Sequence, residues 1–209
     1  MSVSGWQTEP FPHAVVDGMW PATFTEPVAA EFPSPDDPRW TTAPNDRERG
    51  KLWCDIPAGW GPKVKQAVAE LRSDSARDWL SGLTGIKDLS ADVLGGGMHM
   101  TGPGGRLAMH RDFNVHPGTS GLERRLNVLL FLNEEWYKEW GGVLYLGEHK
   151  EVEVLPVAGR MAIFECTPWS WHGHPEPVVG EHWRKSLAVY WYAPPRESVV
   201  PHGTIWQDA

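Results

Sequence analysis

The second half of the chain, from about residue 91 to residue 192, consists of short apolar segments separated by turns rich in glycine and proline. Many short strands with turns of this kind predict a β-sandwich or a β-barrel. Residues 95–100 alternate, so Met98 and Met100 share one face of a strand and His99 takes the other. The other predicted strands cover residues 107–113, 126–132, 143–146, 152–155, 161–164 and 186–192.

The first half of the chain contributes helices. Residues 62–71 form the clearest one, because apolar residues recur there at helical spacing after a proline. A second helix is predicted over residues 75–83 with Ser73 or Asp74 as its N-cap, and Thr25 is predicted to cap a short helix upstream. Two strands are predicted here, at residues 13–17 and 51–56. We expect the helices to cover the outside of a sheet, so the fold class is mainly β (α+β) with flanking N-terminal helices.

Length, charge and cysteine content limit the classes of function. A chain of 209 residues suits one domain, residues 1–209, with a sizeable core. The net charge of −8 argues against nucleic acid or an anionic membrane as the main partner. The N-terminal residues lack the apolar core of a signal peptide, and no apolar run approaches the ~20 residues of a membrane span. We therefore expect a cytoplasmic protein in which Cys54 and Cys166 are free thiols.

Three residues in the strand-rich half have the composition of a metal site. His110 and Asp112 are two residues apart, so on a strand both side chains point to the same face. A second strand that starts or ends nearby would then supply His172. Two imidazoles and one carboxylate form the facial triad of non-haem Fe(II) oxygenases. A His-x-Asp pair alone is a weak signal, since roughly half an occurrence is expected by chance in this composition.

Two further polar residues stand at the start of the last predicted strand. Arg184 and Ser186 precede residues 187–192, which are apolar on both faces of that strand. The strand would therefore carry both side chains into a core or a pocket. Because they are two residues apart, they share one face.

These residues, in this order, resemble the 2-oxoglutarate/Fe(II)-dependent oxygenases of the prolyl 4-hydroxylase type. The resemblance also covers Phe131-Leu132-Asn133, Gly141-Gly142-Val143-Leu144, Gly159-Arg160-Met161 and the opening stretch from Pro10 to Asp17. It implies a double-stranded β-helix (jelly-roll) core, bound Fe(II), 2-oxoglutarate as cosubstrate and O2. It also implies hydroxylation of an unactivated C–H bond of a small-molecule or amino-acid/peptidyl substrate, with release of succinate and CO2.

The resemblance assigns a role to each matched polar residue. His110, Asp112 and His172 would be the catalytic metal ligands. Arg184 stands where the family keeps an arginine for the distal carboxylate of 2-oxoglutarate, and Ser186 would add a hydrogen bond. Related halogenases replace the ligand carboxylate by a small residue, so the presence of Asp112 favours hydroxylation or a related oxidation.

Four positions on two predicted strands would complete the cosubstrate pocket. Asn127 occupies a position that often contacts the cosubstrate. Leu144 and Leu129 would form apolar walls. Phe131 stands where some relatives carry a tyrosine that hydrogen-bonds the distal carboxylate, a bond that a phenyl ring does not provide.

Several alternatives remain open at this point. The same site would also serve desaturation, cyclisation or epimerisation, and the fold would serve a jelly-roll binding module without turnover. His174 and His116 are rival ligands because each lies close in sequence to a candidate, although Pro175 suggests a turn after His174. His99 is either a substrate contact or a core histidine, and the polar residues 45–50 form either a solvated loop or a lid.

Overall fold

The computed structural model describes residues 2–3, 5–118, 121–197 and 199–207, whose strands form two antiparallel sheets. The strands are β1 (Ser2–Val3), β2 (His13–Asp17), β3 (Thr41–Thr42), β4 (Lys51–Cys54), β5 (Ser90–Thr101), β6 (Leu107–Arg111), β7 (Glu123–Phe131), β8 (Leu144–Leu146), β9 (Val152–Val154), β10 (Met161–Glu165), β11 (His172–His174), β12 (Arg184–Ala193) and β13 (Ile205–Trp206). The helices are α1 (Ala22–Ala30), α2 (Pro62–Leu71) and α3 (Asp74–Thr84), with 3-10 turns at Asp46–Glu48, Pro57–Gly59 and Lys138–Trp140.

The two sheets form the layers of a jelly-roll. The larger sheet has the strand order β1-β2-β10-β7-β12-β5-β4-β3, and the smaller one has the order β13-β6-β11-β8-β9. Strands that are far apart in sequence lie side by side, so the chain crosses repeatedly between the two layers. This architecture confirms the predicted mainly β, double-stranded β-helix core with flanking N-terminal helices.

Alternate side chains of the central strand β12 point to the two faces of the larger sheet. Leu187, Val189 and Trp191 pack into the hydrophobic core that the N-terminal helices cover. Ser186 and Tyr190 point the other way and line a cavity shared with the smaller sheet. Both faces of this strand are buried, and full burial of each large apolar side chain contributes about 1.5–3 kcal/mol.

Helices α2 and α3 follow the sequence signals closely. Helix α2 covers the predicted residues 62–71. Helix α3 is capped by Ser73, whose hydroxyl accepts the backbone N–H of Ala76 at 3.1 Å. It ends at Gly85, which adopts a left-handed φ of 76°.

Helix α1 begins earlier than predicted. Thr25 is not its N-cap, because the helix begins at Ala22. The carbonyl of Pro21 accepts the backbone N–H groups of Phe24 and Thr25 at 2.9 and 3.1 Å, so the first turn closes before Thr25.

Both cysteines are buried free thiols, as predicted for Cys54 and Cys166. Within the part of the chain that is described, no helix has the length and hydropathy that crossing a membrane requires.

Candidate active site

The two histidines of the predicted triad face each other across neighbouring strands of the smaller sheet. His172 on β11 is the antiparallel partner of His110 on β6, and their ring centroids are 4.3 Å apart. Asp112 follows directly after β6. Its Oδ1 lies 3.7 Å from His110 Nε2, and its Oδ2 lies 3.2 Å from His172 Nε2. One ligand atom from each residue therefore meets the others within 4.8 Å.

Backbone hydrogen bonds fix the orientation of both imidazoles. His110 Nδ1 donates to the carbonyl of Ala108 at 2.9 Å, and His172 Nδ1 donates to the carbonyl of Ser170 at 2.9 Å. Burial and the neighbouring His172 lower the pKa of His110, so this ring is neutral with a lone pair on Nε2. The Nε2 atoms of His110 and His172 and the carboxylate oxygens of Asp112 thus face one another. A bound cation would stabilise this arrangement of electron-pair donors.

Two residues of β7 hold the carboxylate of Asp112. Asn127 Nδ2 donates to Oδ2 at 2.7 Å, and Arg124 NH2 lies 3.1 Å from the same oxygen. Arg124 also donates to Asn127 Oδ1 from Nε and NH2, at 2.9 and 2.6 Å. Burial alone would raise the pKa of Asp112, but the positive charge of Arg124 holds it well below its ordinary value. Asp112 is therefore an oriented, ionised carboxylate, suited to be a metal ligand.

The role of Arg124 was not predicted, because strict alternation places residues 124 and 127 on opposite faces of a strand. In the pairing of β12 with β7, Trp191 lies opposite Leu126 but Tyr192 lies opposite Arg124. Arg125 is thus the extra residue of a β-bulge, which turns Arg124 to the inner face. Nothing in the alternation of apolar and polar residues signals this bulge.

Arg184 is a second buried arginine of the cavity, besides Arg124. Its side chain is 5% exposed, its Nε donates to the carbonyl of Gly142 at 2.7 Å, and its guanidinium lies 5.0 Å from the ring of Phe131. No described carboxylate forms an ion pair with it, and burial lowers its pKa to about 9. Gly142 has a φ of +61°, and a Cβ there would lie 3.2 Å from Arg184 Cδ. The close approach of this backbone therefore requires glycine.

One cavity between the two sheets brings together the predicted site residues with the exception of Phe131. It is lined by the triad and by Asn127, Leu129, Leu144, Arg184 and Ser186. Other lining residues that the sequence did not point to are Lys51, Thr101, Leu107, Arg124, Phe164 and Tyr190. The candidate metal-ligand cluster and the buried Arg184 thus line a single cavity.

The rival histidines have different surroundings. His116 pairs with Asp92 Oδ2 at 2.9 Å and lies outside the metal-ligand cluster. His174 belongs to strand β11, so the turn that Pro175 suggested begins only after it, and it lines the cavity without joining the cluster. Burial lowers its pKa well below the ordinary value.

His99 also lines the cavity, on the opposite sheet. Its Nε2 lies 3.1 Å from the carbonyl of Gly95, and burial together with the charge of Lys51 lowers its pKa to about 3. His99 is thus a neutral, hydrogen-bonded wall residue.

The polar residues 45–50 contain a short 3-10 turn that Asn45 caps. Asn45 Oδ1 accepts the N–H of Glu48 at 3.0 Å, and Arg49 Nε donates to the carbonyl of Gly104 at 3.0 Å. Asp46 forms a further ion pair with Arg106. These bonds tie the segment to the turn before β6.

Comparison with known proteins adds independent information. Residues 96–193, which contain every predicted site residue, match the model of the 2OG-Fe(II) oxygenase superfamily. No curated protein matched the sequence.

Three solved structures illustrate the shared fold. A Pseudomonas putida prolyl-4-hydroxylase is 22% identical, with a TM-score of 0.64 over 88% of this chain and 92% of that one. A Trichoplax adhaerens prolyl hydroxylase, in complex with a peptide fragment of the hypoxia inducible factor oxygen degradation domain, is 16% identical, with a TM-score of 0.64 over 86% and 83%. HygX from Streptomyces hygroscopicus, with nickel and 2-oxoglutarate bound, is 14% identical, with a TM-score of 0.56 over 87% and 82%. At these identities the likeness establishes the fold.

Proposed function

Because this chain belongs to the 2OG-Fe(II) oxygenase superfamily, we propose that it is a dioxygenase that hydroxylates an unactivated C–H bond of a small-molecule or amino-acid/peptidyl substrate. The family's cofactor is Fe(II), and its cosubstrates are 2-oxoglutarate and O2. The observation that carries the proposal is the convergence of His110, Asp112 and His172 within 4.8 Å. We further propose that residues 1–209 form one catalytic domain, since the shared fold extends over 88% of the chain.

The chemistry of the three side chains fits Fe(II). This ion accepts imidazole and carboxylate together, and a facial set of three ligands leaves coordination positions free. When bound, Fe(II) supplies the activation of O2 that is coupled to conversion of 2-oxoglutarate into succinate and CO2. The protein's part is to hold Asp112 ionised and aimed at the site, through Asn127 and Arg124.

The opposite end of the cavity fits the distal carboxylate of 2-oxoglutarate. Arg184 is buried without an ion-pair partner among the described residues, so a bound carboxylate would supply the missing negative charge. Its Nε–H already donates to the carbonyl of Gly142, and the rest of the guanidinium provides further N–H donors. The hydroxyl of Ser186 would add another bond. Leu129 and Leu144 exclude water, which strengthens these electrostatic interactions.

A second cleft adjoins the triad at Asp112 and is our candidate for the substrate. It has a volume of about 540 Å³ and is lined by residues that include Arg111, Trp169, Val200 and Ile205. A volume of this order suits a small molecule or one or two residues of a peptide. HygX binds hygromycin B in one structure, and the Trichoplax enzyme binds a peptide. The net charge of −8 favours a neutral or cationic substrate for this chain.

An anaerobic titration tests the proposal. Fe(II) followed by 2-oxoglutarate should produce a visible metal-to-ligand charge-transfer band in the wild type. Arg184→Ala should weaken the band by lowering the affinity for 2-oxoglutarate, and Asp112→Ala should abolish it. Absence of any band in the metal-loaded wild type would refute the proposed site.

Oxygen-dependent turnover distinguishes the remaining alternatives. Succinate formation on addition of O2 marks an enzyme and excludes a binding module without turnover. Mass spectrometry of the substrate then separates a gain of one oxygen atom, expected for hydroxylation, from a loss of two hydrogens. The latter result would replace hydroxylation by desaturation or cyclisation at the same site.

A further inference from the structure

One buried side chain of the cavity has an unpartnered polar atom. His174 is 3% exposed and lines the same cavity as His172 and Arg184. Its Nδ1 is buried and has no hydrogen-bond partner among the described residues. Buried polar atoms are nearly always hydrogen-bonded, so an unpartnered one in a residue that lines a cavity calls for an explanation. A ligand held in the cavity provides one.

The position of His174 relates it to both ends of the cavity. It lies two residues beyond His172 on β11, which places it about 7 Å further along the strand on the same face. On the neighbouring strand, His172 lies opposite Leu146 and Gly173 lies opposite Tyr145, so the residue next to His174 is Leu144. The wall of the cavity therefore runs from the metal ligand past His174 and Leu144.

That wall ends at the buried arginine. Gly142 lies two residues before Leu144, and its carbonyl accepts a hydrogen bond from Arg184 Nε at 2.7 Å. Arg184 and His174 both line this one small space. A dicarboxylate that reached from the triad to Arg184 would therefore pass along the wall that carries His174.

We propose that the Nδ1–H of His174 donates a hydrogen bond to the distal carboxylate of 2-oxoglutarate, beside Arg184. The proposal rests on the function proposed above. A carboxylate has about four lone-pair directions, more than one arginine and the hydroxyl of Ser186 occupy. The imidazole of His174 adds an N–H donor to this set. His99, the other histidine of the wall, is unsuited because its Nε2 already pairs with the carbonyl of Gly95.

Two nearly isosteric substitutions separate hydrogen bonding from cavity shape. Asparagine places an amide N–H near the position of the imidazole Nδ1, whereas leucine fills similar space without a donor. The dissociation constant of 2-oxoglutarate is measured by isothermal titration calorimetry on the full chain loaded with Mn(II), without O2. We expect His174→Leu to bind 2-oxoglutarate at least ~10-fold more weakly than the wild type, and His174→Asn to stay within ~3-fold of it.

Four outcomes would overturn the proposal, and a fifth would refute the proposed function. Equal affinity of His174→Leu and the wild type would overturn it, and so would an equal loss in the Leu and Asn variants, which would indicate a role in shape alone. A weakened affinity for Mn(II) in both variants would show that His174 acts through His172 instead. With 2-oxopentanoate, which lacks the distal carboxylate, an equally large loss in the Leu variant would also overturn it. A wild type that binds Mn(II) but no 2-oxoglutarate would refute the proposed function itself.

Discussion

Replacement of Arg124 by methionine tests whether this arginine compensates the charge of the triad carboxylate. Arg124 is 2% exposed, and its NH2 lies 3.1 Å from Asp112 Oδ2. Its Nε and NH2 also donate to Asn127 Oδ1. Methionine has a similar reach but no charge and no N–H, so the variant leaves Asp112 as a buried carboxylate without its cation.

The expected loss of stability follows from the distance. Two unit charges 3.1 Å apart attract by about 5 kcal/mol at an effective dielectric constant of ~20. Removal of one partner from a buried ion pair typically costs about 3–5 kcal/mol. We therefore expect the metal-free Arg124→Met variant to lose roughly this much free energy of unfolding. At ~2–4 °C per kcal/mol, its Tm should fall by about 10 °C.

Metal binding should reverse part of this loss. A divalent cation held by the triad supplies the positive charge that Arg124 no longer provides, and ligand binding to the folded state raises stability by mass action. The increase in Tm on addition of Mn(II) should therefore be larger for Arg124→Met than for the wild type. Differential scanning calorimetry without O2, with and without Mn(II), measures both quantities.

Arg125→Met is the matched control, because the bulge turns Arg125 away from the cavity. Arg125 pairs with Glu165 at 2.9 Å on the other side of the sheet. We expect a smaller loss of stability there and a wild-type response to Mn(II). The reasoning fails if Arg124→Met is as stable as the wild type, or if both variants respond to Mn(II) equally.

Three further substitutions probe the two ends of the cavity. Asp112→Ala should abolish Mn(II) binding and succinate formation, and retention of full turnover would remove Asp112 from the metal site. Arg184→Ala should keep Mn(II) affinity but weaken 2-oxoglutarate binding by at least ~30-fold, since a buried charge pair is lost; calorimetry checks both values. Gly142→Ala should lower the unfolding free energy by about 1–3 kcal/mol and weaken 2-oxoglutarate binding, because its Cβ would lie 3.2 Å from Arg184 Cδ. Gly85→Ala has a comparable φ of +76° with open space around it, so it should affect stability alone, and equal effects on 2-oxoglutarate binding would contradict this account.

The proposed Asp112 and Arg184 tests also separate two modes of failure. If a variant binds the metal but not 2-oxoglutarate, its defect lies at the arginine end of the cavity. A variant that binds neither places it at the triad. The two ends are carried by different sheets, β6 and β11 for the histidines and β12 for Arg184, so each can be disturbed without the other.

Local spacing was enough to predict much of this protein. The apolar residues of α2 recur at the period of a helix, and His110 and Asp112 are two residues apart as on one face of a strand; both patterns hold in the structure. The jelly-roll and the family were likewise accessible, since the ordered motifs from His110 to Ser186 lie within the segment that matches the superfamily. The start of α1 was wrong because the carbonyl of Pro21, not the side chain of Thr25, organises its first turn.

Contacts between distant segments depended on tertiary structure alone. The residues of β12 are apolar on both faces of the strand, so the sequence does not indicate which face points to the core. The packing of the helices decides that Trp191 faces the core and Tyr190 the cavity. Arg125, the extra residue of the bulge, turns Arg124 to the inner face of the sheet, where it pairs with Asp112. The spacing of residues along a strand does not predict such a bulge. The unpartnered His174 likewise becomes meaningful only once both sheets enclose it. Residue spacing along the chain determined which groups could act together, whereas pairing between strands decided which of them meet.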